Sequence, residues 1–263
     1  MVFPPQQQKM PEGPSLIYLK EQLAPFAGRT VTAAGGYTKM KTAWIKGRRL
    51  LEIRTWGKHL LLRFSTGSVR VHLMLFGSVL VNKKKKVNAS FYMRFGTDEI
   101  NFYVVQAKKI EGKLEDEYDW RTDILSPKWS LARVRKLALE KSKETVGDIL
   151  LDQQVFTGVG NIIRVEVMYR CKIHPATVVS DLPAKQLDSL IKDSRVYAKQ
   201  FLKEKKAGVF GRSLEAYGQE YCHRDDIPLS VAFPGKVKRK TYFCNDCQVN
   251  YSKQKKVPAT DPH

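Results

Sequence analysis

The spacing of apolar residues changes near residues 122–130, and this change constrains the fold more than any other feature of the sequence. Upstream, apolar and polar residues alternate in two segments, which is typical of strands with one buried face. The apolar positions are Val69, Val71, Leu73 and Leu75, then Phe91, Met93 and Phe95. Downstream of Ser126-Pro127, apolar residues recur at helical spacing, as in Leu131, Val134 and Leu137, then Val146, Ile149 and Leu150.

We therefore expect an α+β chain of two domains, an N-terminal β-sandwich and a C-terminal helical domain. A helix precedes the sandwich, because apolar residues keep helical spacing from Leu16 to Phe26 and stop before Gly28. The polar and basic stretch 219–251 predicts a short β-hairpin. The predicted boundaries are 10–121 for the sandwich, 122–130 for a linker, 131–218 for the helices and 219–252 for the hairpin, with 1–9 and 253–263 outside the domains.

The charge of the chain indicates its class of partner. Among 263 residues, 46 Lys and Arg stand against 26 Asp and Glu, which gives a formal net charge of +20. Such a field attracts polyanions. No apolar stretch reaches membrane-spanning length, and residues 1–9 lack the apolar segment of a secretory signal. The four cysteines suit a reducing compartment and a metal better than disulfides.

The segment Met10-Pro11-Glu12-Gly13-Pro14 carries the first candidate for chemistry. If the chain began at Pro11, its secondary amine would be a nucleophile that needs no activated side chain. It would form a cationic iminium ion with an aldehyde-level carbon, and the carboxylate of Glu12 would follow directly. The alternative is structural, since a proline often opens a helix, where its missing N–H costs nothing.

A second candidate segment ends in Gly158-Val159-Gly160-Asn161. The two glycines permit a tight turn, and Asn161 is predicted to cap a helix with a buried face of Ile162, Val165 and Tyr169. Free amides at such a helix start bind phosphate. An ordinary pair of helices with a capping asparagine is the alternative.

Five motifs in this order resemble the formamidopyrimidine-DNA glycosylase/endonuclease VIII family, over roughly residues 10–250. They are Met10-Pro11-Glu12-Gly13-Pro14, Gly57-Lys58-His59, His72-Leu73-Met74-Leu75-Phe76-Gly77, the segment from Leu151-Asp152-Gln153 to Asn161, and Arg239-Lys240-Thr241-Tyr242-Phe243-Cys244-Asn245-Asp246-Cys247-Gln248. The resemblance implies a base-excision repair enzyme that binds damaged double-stranded DNA through a β-sandwich, a helix–two-turn–helix domain and a zinc-finger-like hairpin.

The resemblance implies that Pro11, Glu12 and Lys58 are the catalytic residues. A damaged base must leave the stack before it is excised. The amine of Pro11 then attacks C1′ of the sugar, Glu12 protonates the opening ring, and the iminium drives elimination of the 3′ and then the 5′ phosphate. Lys58 contacts phosphate and the leaving base or sugar, whereas a lysine at a turn is otherwise simply solvated.

For DNA binding, the resemblance implies a wedge of Met74, Leu75 and Phe76 that fills the gap left by the flipped base. Asn161 and Arg239 join Lys58 in a phosphate clamp, a task that suits the planar fork of arginine. The alternative for the wedge is core packing, above all for Phe76.

The hairpin predicts a zinc site with an irregular ligand set. Cys244 and Cys247 form a C-x-x-C pair, but Cys222 has no cysteine three residues on. Zinc takes four ligands, and we predict His223 as the fourth, with Asp225 as the alternative. A hairpin that only packs, without metal, also fits one C-x-x-C pair.

Three departures from the family pattern bear on these roles. In another alignment of the hairpin, Leu229 and Ala232 take cysteine positions and the zinc site is lost. Ser15 stands where the family has a second glutamate. Residues 1–9 precede Met10, and an acylated proline nitrogen cannot form an iminium. Translation from Met10 followed by its removal, cleavage of the extension, and a protein without lyase activity are the three open explanations.

We expect a bifunctional DNA glycosylase and AP lyase that favours oxidised pyrimidines, on the basis of Gly13 and the wedge. A glycosylase for oxidised purines is the alternative within the family. A noncatalytic protein that binds damaged DNA with Pro11 blocked is a third possibility, and ribosomal proteins with a helix–two-turn–helix share the basic charge. Lesion preference is expected to depend on the 206–214 loop. We further expect a cytoplasmic, nucleoid-associated monomer.

Overall fold

The computed structural model of the protein describes residues 11–254. These residues form two compact units that divide between Asp119 and Trp120. The predicted extension at 1–9, Met10, and the tail from residue 255 lie outside the described part of the chain. No helix within residues 11–254 combines the length and apolar character needed to cross a membrane.

The first unit begins with a helix and continues into six strands, as the alternating segments predict. Its elements are α1 (Gly13–Leu23), β1 (Ala33–Gly35), β2 (Glu52–Trp56), β3 (His59–Phe64), β4 (Gly67–Val81), β5 (Phe91–Phe95), β6 (Asp98–Ile110) and α2 (Leu114–Glu117), with 3₁₀ turns at Ala24–Phe26 and Ala43–Ile45. The strands form one antiparallel sheet in the order β1-β5-β6-β4-β3-β2.

A single core lies against both halves of this sheet. It takes Leu16 from α1, Ile53 from β2 at one end of the strand order, and Met93 from β5 near the other end. The long strands β4 and β6 run through both halves and pair from Ser68–Ile110 to Val81–Ile100. Strands near both ends of the sheet, β5 and β2, contribute to the same core. One continuous sheet therefore supplies both layers of the predicted sandwich.

The second unit is helical and ends in a β-hairpin. Its elements are α3 (Leu131–Glu140), α4 (Val146–Ile149), α5 (Asn161–Arg170), α6 (Ala184–Ala207), β7 (Ser230–Ala232), β8 (Thr241–Phe243) and α7 (Tyr251–Gln254), with a 3₁₀ turn at Val179–Asp181. Strands β7 and β8 pair in antiparallel fashion. The predicted α+β class is therefore confirmed.

Helix α5 lies between two cores of the second unit. Ile163 and Val167 pack with the other helices, whereas Val165 and Tyr169 pack with the hairpin. The segment 122–130, predicted as a linker, belongs to the first of these cores. Ile124 is buried, and Arg195 of α6 donates to the carbonyl oxygens of Ile124 and Ser126 at 2.9 and 3.0 Å.

Candidate functional site

Pro11 and Glu12 lie directly before α1. The helix starts at Gly13, with Glu12 at the N-cap and Pro14 in the first turn. Pro14 therefore opens the helix, and Pro11 lies outside it. Glu12 is only 1% exposed, yet its side chain makes no capping hydrogen bond. The chain thus places a buried carboxylate next to Pro11 that does not serve the helix end.

Lys58 lies at a hairpin turn, as its sequence context predicts. Gly57 and Lys58 join β2 to β3, with Trp56 paired to His59 across the turn. Gly57 has a φ of 51°, in the left-handed region that favours glycine. Helix α1 packs against β2 and β3, the two strands that this turn joins. The imidazole of His72 lies close to the backbone of Lys58.

A cluster of rings supports the Lys58 turn. His59 on β3 pairs with His72 on β4, and their ring centroids are 5.4 Å apart in an edge-on arrangement. Trp56 lies 4.8 Å from Tyr118 and 5.6 Å from His59, measured between ring centroids. The sequence does not indicate a role for these rings, because the strand register that brings them together is not visible in local spacing.

The ring cluster is uncharged at neutral pH. Burial, with Arg70 and His72 nearby, lowers the pKa of His59 to about 3. Burial also lowers the pKa of His72, and it raises the pKa of Tyr118 to about 12. The positive charge of Lys58 therefore lies next to neutral imidazoles rather than competing imidazolium ions.

The predicted wedge is an exposed bulge of β4. Met74, Leu75 and Phe76 are 38%, 49% and 70% exposed, which excludes core packing. The strand register passes from Leu73–Val105 to Ser78–Tyr103, so four residues of β4 oppose the single residue Val104. The wedge side chains therefore project from an irregular part of the sheet.

Backbone strain and close packing define this bulge. Phe76 and Val104 have φ angles of 71° and 53°, which are costly for residues with a Cβ and most unusual for valine. Gly77 fits only because it has no side chain: a Cβ there would lie 2.8 Å from the Val104 oxygen and 2.9 Å from Cβ of Leu73. Strain of this kind is typical of functional loops.

Asn161 is the first residue of α5, and its predicted role as N-cap is wrong. Gly160 takes the N-cap position, with no side-chain capping bond. Asn161 instead donates from Nδ2 to the Lys240 carbonyl oxygen at 2.9 Å and accepts from Arg164 Nε at 3.1 Å. An amide nitrogen carries two hydrogens, and the Lys240 carbonyl oxygen accepts a hydrogen bond from one of them. Asn161 thus joins the start of α5 to the hairpin.

Arg164 also connects the start of α5 to the hairpin, from inside the unit. This side chain is fully buried, and its Nη2 donates to Thr241 Oγ1 at 2.5 Å and to the Arg239 carbonyl oxygen at 3.4 Å. Its Nη1 donates to the Gly147 oxygen at 3.2 Å. The side chain of Arg239 is exposed. The structure thus brings Asn161 and Arg239 to one edge of the second unit. The sequence alone did not indicate Arg164.

Four side chains of the hairpin region converge on one point. Their candidate ligand atoms, from Cys222, Asp225, Cys244 and Cys247, lie within 4.8 Å of one another. His223 is not part of this group, so the predicted fourth ligand is corrected to the alternative, Asp225. The backbone N–H of His223 donates to the Tyr169 hydroxyl at 3.1 Å instead.

The spacing of these four groups fits a tetrahedral zinc ion. Two thiolates bound to zinc at ~2.3 Å lie ~3.8 Å apart, and the sulfurs of Cys222 and Cys247 are 3.8 Å apart. Asp225 Oδ2 lies 3.4 Å from the Cys222 sulfur and 3.1 Å from the Cys244 sulfur. Leu229, one of the two residues that the alternative alignment of the hairpin puts at cysteine positions, packs in the adjacent core.

Family models match most of the chain. Residues 10–111 match the formamidopyrimidine-DNA glycosylase N-terminal domain, and residues 123–210 match the formamidopyrimidine-DNA glycosylase H2TH domain. The two matches correspond to the two structural units. They contain Pro11, Lys58, the wedge and Asn161.

Related sequences include two groups of DNA glycosylase. The chain is 31% identical to endonuclease 8-like 3 of Mus musculus over 205 residues, which cover 74% of this chain and 34% of the relative. It is 29% identical to formamidopyrimidine-DNA glycosylase of Mycobacterium avium (strain 104) over 238 residues, covering 79% and 83%. The chain thus spans about a third of the length of the endonuclease 8-like 3 relative.

Solved structures share the fold. A viral DNA glycosylase superposes with a TM-score of 0.77 at 20% identity, covering 90% of this chain and 100% of the other. Lactococcus lactis formamidopyrimidine-DNA glycosylase, bound to DNA with an AP site, gives 0.78 at 18% identity and covers 90% and 99%. With both of its units matched by family models and its motifs in the expected order, this chain belongs to the formamidopyrimidine-DNA glycosylase/endonuclease VIII family.

Proposed function

We propose that the protein is a DNA glycosylase with AP lyase activity that excises oxidised bases from double-stranded DNA and favours oxidised pyrimidines. The observation that carries the proposal is the position of Pro11, outside α1 and next to the buried carboxylate of Glu12. In a form of the protein that begins at Pro11, the nitrogen is a free secondary amine. Family membership supports the same chemistry.

In the proposed reaction, the Pro11 nitrogen forms a bond to C1′ of the sugar while the glycosidic bond to the damaged base breaks, and the proton that the nitrogen loses goes to the departing base. Glu12 gives a proton to the ring oxygen as the sugar opens. The resulting iminium acidifies the C2′ protons, so the 3′ phosphate leaves by elimination, and a second elimination releases the 5′ phosphate. Lys58, held by its turn, contacts phosphate and the leaving base or sugar.

The DNA-binding residues are distributed over both units. Lys58 and the wedge belong to the first unit, while Asn161 and Arg239 belong to the second. We propose that Lys58, Asn161 and Arg239 bind the phosphates that flank the lesion, and that Met74, Leu75 and Phe76 fill the gap left by the flipped base. The exposure of the wedge and of the Arg239 side chain supports these roles.

Borohydride trapping on abasic DNA tests the catalytic proposal. Protein that begins at Pro11 should form a covalent adduct, and the matched protein that begins at Met1 should not, because its proline nitrogen is acylated. Both should bind the DNA with similar affinity. Glu12→Gln should keep binding but release bases more slowly, since a general acid contributes about 10²–10⁴-fold.

Two outcomes contradict this scheme. Intact Met1 protein, confirmed by mass, that traps as well as the Pro11 form would move the nucleophile to a lysine, with Lys58→Ala the first variant to examine. Absence of an adduct from the Pro11 form, with normal binding, would leave a noncatalytic protein that binds damaged DNA.

Arg239→Ala tests the phosphate contact. The exposed guanidinium should contribute roughly 1–3 kcal/mol to binding of damaged and undamaged DNA alike, and its loss should reduce the salt slope by about one. An unchanged slope would remove Arg239 from the phosphate site.

We also propose that Cys222, Asp225, Cys244 and Cys247 hold zinc. A structural zinc ion contributes folding free energy through its ligands. Metal analysis should find about one zinc per chain in wild type and in His223→Ala, and little in Asp225→Ala. Cys244→Ser should lose zinc and DNA binding while the first unit stays folded. Zinc retained in Asp225→Ala but lost in His223→Ala would restore His223 as the ligand.

The preference for oxidised pyrimidines rests on Gly13 and the wedge, and we propose that the 206–214 loop sets it. This loop is partly held, since Phe210 stacks on Phe201 with ring centroids 3.8 Å apart and Ser213 Oγ donates to Glu204 at 2.7 Å. Excision rates on matched duplexes with an oxidised pyrimidine or 8-oxoguanine test the preference. A faster rate on 8-oxoguanine would favour the oxidised-purine alternative. The monomeric state and the cytoplasmic, nucleoid-associated location remain predictions.

A further inference from the structure

Arg164 is a buried charge that connects three segments of the second unit. From α5 its guanidinium reaches the Gly147 oxygen in α4, the Asn161 side chain at the start of α5, and Arg239 and Thr241 in the hairpin. These four partners are neutral oxygens. Only a long side chain with several donors in one plane can reach all four oxygens at once.

Burial of this charge is costly for stability. Arg164 is 0% exposed and follows Ile163 in a helix that is buried nearly throughout. Taking an arginine out of water is unfavourable, and an apolar side chain of similar volume often serves stability as well. What an apolar side chain cannot supply is the set of directed hydrogen bonds to residues 239–241. The role of Arg164 therefore lies in these directed contacts.

The geometry acts on both predicted phosphate contacts of this unit. Arg164 orients the Asn161 amide through Oδ1, and it holds the backbone oxygen of Arg239 while the side chain of that residue remains exposed. Asn161 adds its own hydrogen bond to Lys240. The buried guanidinium thus bonds both to the Asn161 side chain and to the backbone of Arg239, and it helps to set the distance between the Asn161 amide and the Arg239 side chain.

We propose that Arg164 is a positioning residue for DNA binding, which sets Asn161 and Arg239 at the spacing of the DNA backbone phosphates. This inference rests on the proposed function. The turn before residues 239–241 is held by a different side chain, Asp148. Its carboxylate accepts from the backbone N–H groups of Lys236 at 3.0 Å and Val237 at 3.1 Å.

A double-mutant cycle with Arg239 tests the inference. Binding to a duplex with a tetrahydrofuran abasic analogue is measured at several salt concentrations for the full chain, Arg164→Met, Arg239→Ala and the double variant. Arg164→Met should weaken binding about tenfold and lower the salt slope by about one, although it removes no exposed charge. In the Arg239→Ala background, Arg164→Met should weaken binding by much less than tenfold, because only the Asn161 contact then remains to be positioned.

Arg170→Met is the matched control. Arg170 is also on α5, and it forms ion pairs with Asp193 and Glu215 at 3.0 and 3.3 Å. Its effect on binding should be small and additive with Arg239→Ala. Arg164→Lys keeps the charge but loses the planar fork, so it should show the same lowered slope. If Arg164→Met shows no thermal unfolding transition and is therefore not folded, Arg164→Lys takes its place in the cycle.

Three results separate failure of this inference from failure of the proposed function. An additive cycle, or an unchanged salt slope in both Arg164 variants, overturns the positioning role while DNA binding stands. A slope that falls equally in Arg170→Met shows a general effect of α5 charges and also overturns it. Wild-type protein that does not bind the duplex refutes the proposed function itself.

Discussion

Acidification should destabilise the first unit through His59. Burial, Arg70 and His72 lower the folded-state pKa of His59 to about 3, against an ordinary value of 6.5. Tyr118 and the backbone of Lys58 also contact this ring cluster. Above pH 6.5 the imidazole is neutral in both states, so its contribution to stability is fully present. Below pH 6.5 the unfolded chain takes up a proton that the folded chain refuses, and stability is lost as the pH falls towards 3.

The structure sets the size of this loss. Each pH unit in the window between 6.5 and 3 changes the free energy of unfolding by about 1.4 kcal/mol. By pH 4.5 the protein should therefore have lost about 3 kcal/mol of stability through His59. His59→Phe keeps a ring against Trp56 and Tyr118 but removes the titration. Between pH 7.5 and 4.5 the variant should lose about 3 kcal/mol less stability than wild type.

Urea unfolding at the two pH values, followed by circular dichroism, measures this difference. An NMR titration of the imidazole carbon-bound protons gives an independent check, because the His59 signals should not shift between pH 7.5 and 4.5. Equal losses of stability in wild type and His59→Phe, or a His59 midpoint near pH 6.5, would refute the reasoning.

Three further predictions concern backbone positions. Gly77→Ala should cost about 1–3 kcal/mol in urea unfolding, because its Cβ would overlap the Val104 oxygen at 2.8 Å. Val104→Gly should raise stability by up to about 1 kcal/mol, since relief of the φ of 53° outweighs the entropy cost of glycine; a loss would contradict this. Asp148→Asn should cost about 1–3 kcal/mol, and faster hydrogen exchange at Lys236 should locate the effect at its 3.0 Å bond.

Elements with a local pattern could be predicted from the sequence. Helix α1 and strands β4 and β5 show their buried faces in the spacing of apolar residues, which is fixed by helix and strand geometry alone. The strand that carries the wedge could be located for the same reason, but the alternation also placed Leu75 on its buried face, which is wrong, because Leu75 lies in the bulge and is 49% exposed. The pairing of His59 with His72 could not, because it depends on which residues of β3 and β4 face each other.

Predictions that failed did so where a distant contact outweighed a local preference. Asparagine is a good N-cap, but the Asn161 side-chain amide donates instead to the carbonyl oxygen of Lys240, 79 residues away. His223 and Asp225 were nearly equivalent candidates in the sequence. The turn decides between them: the N–H of Asp226 donates to the Cys222 oxygen at 2.9 Å, with a φ of 52° at Asp226, and brings Asp225 back towards Cys222.

Helix α5 combines these long-range effects in one element. Arg164 and Glu166 are both fully buried, and residues two apart on a helix point to different sides. Arg164 holds the hairpin at 239–241, while the Glu166 carboxylate accepts from the backbone N–H groups of residues 215–217 at 3.0, 3.0 and 2.7 Å. One helix therefore fixes both the segment with Arg239, which we propose binds phosphate, and the segment that follows the 206–214 loop. Because both bonds start from the same rigid element, a shift of α5 that disturbs phosphate binding should also disturb the loop assigned to lesion preference.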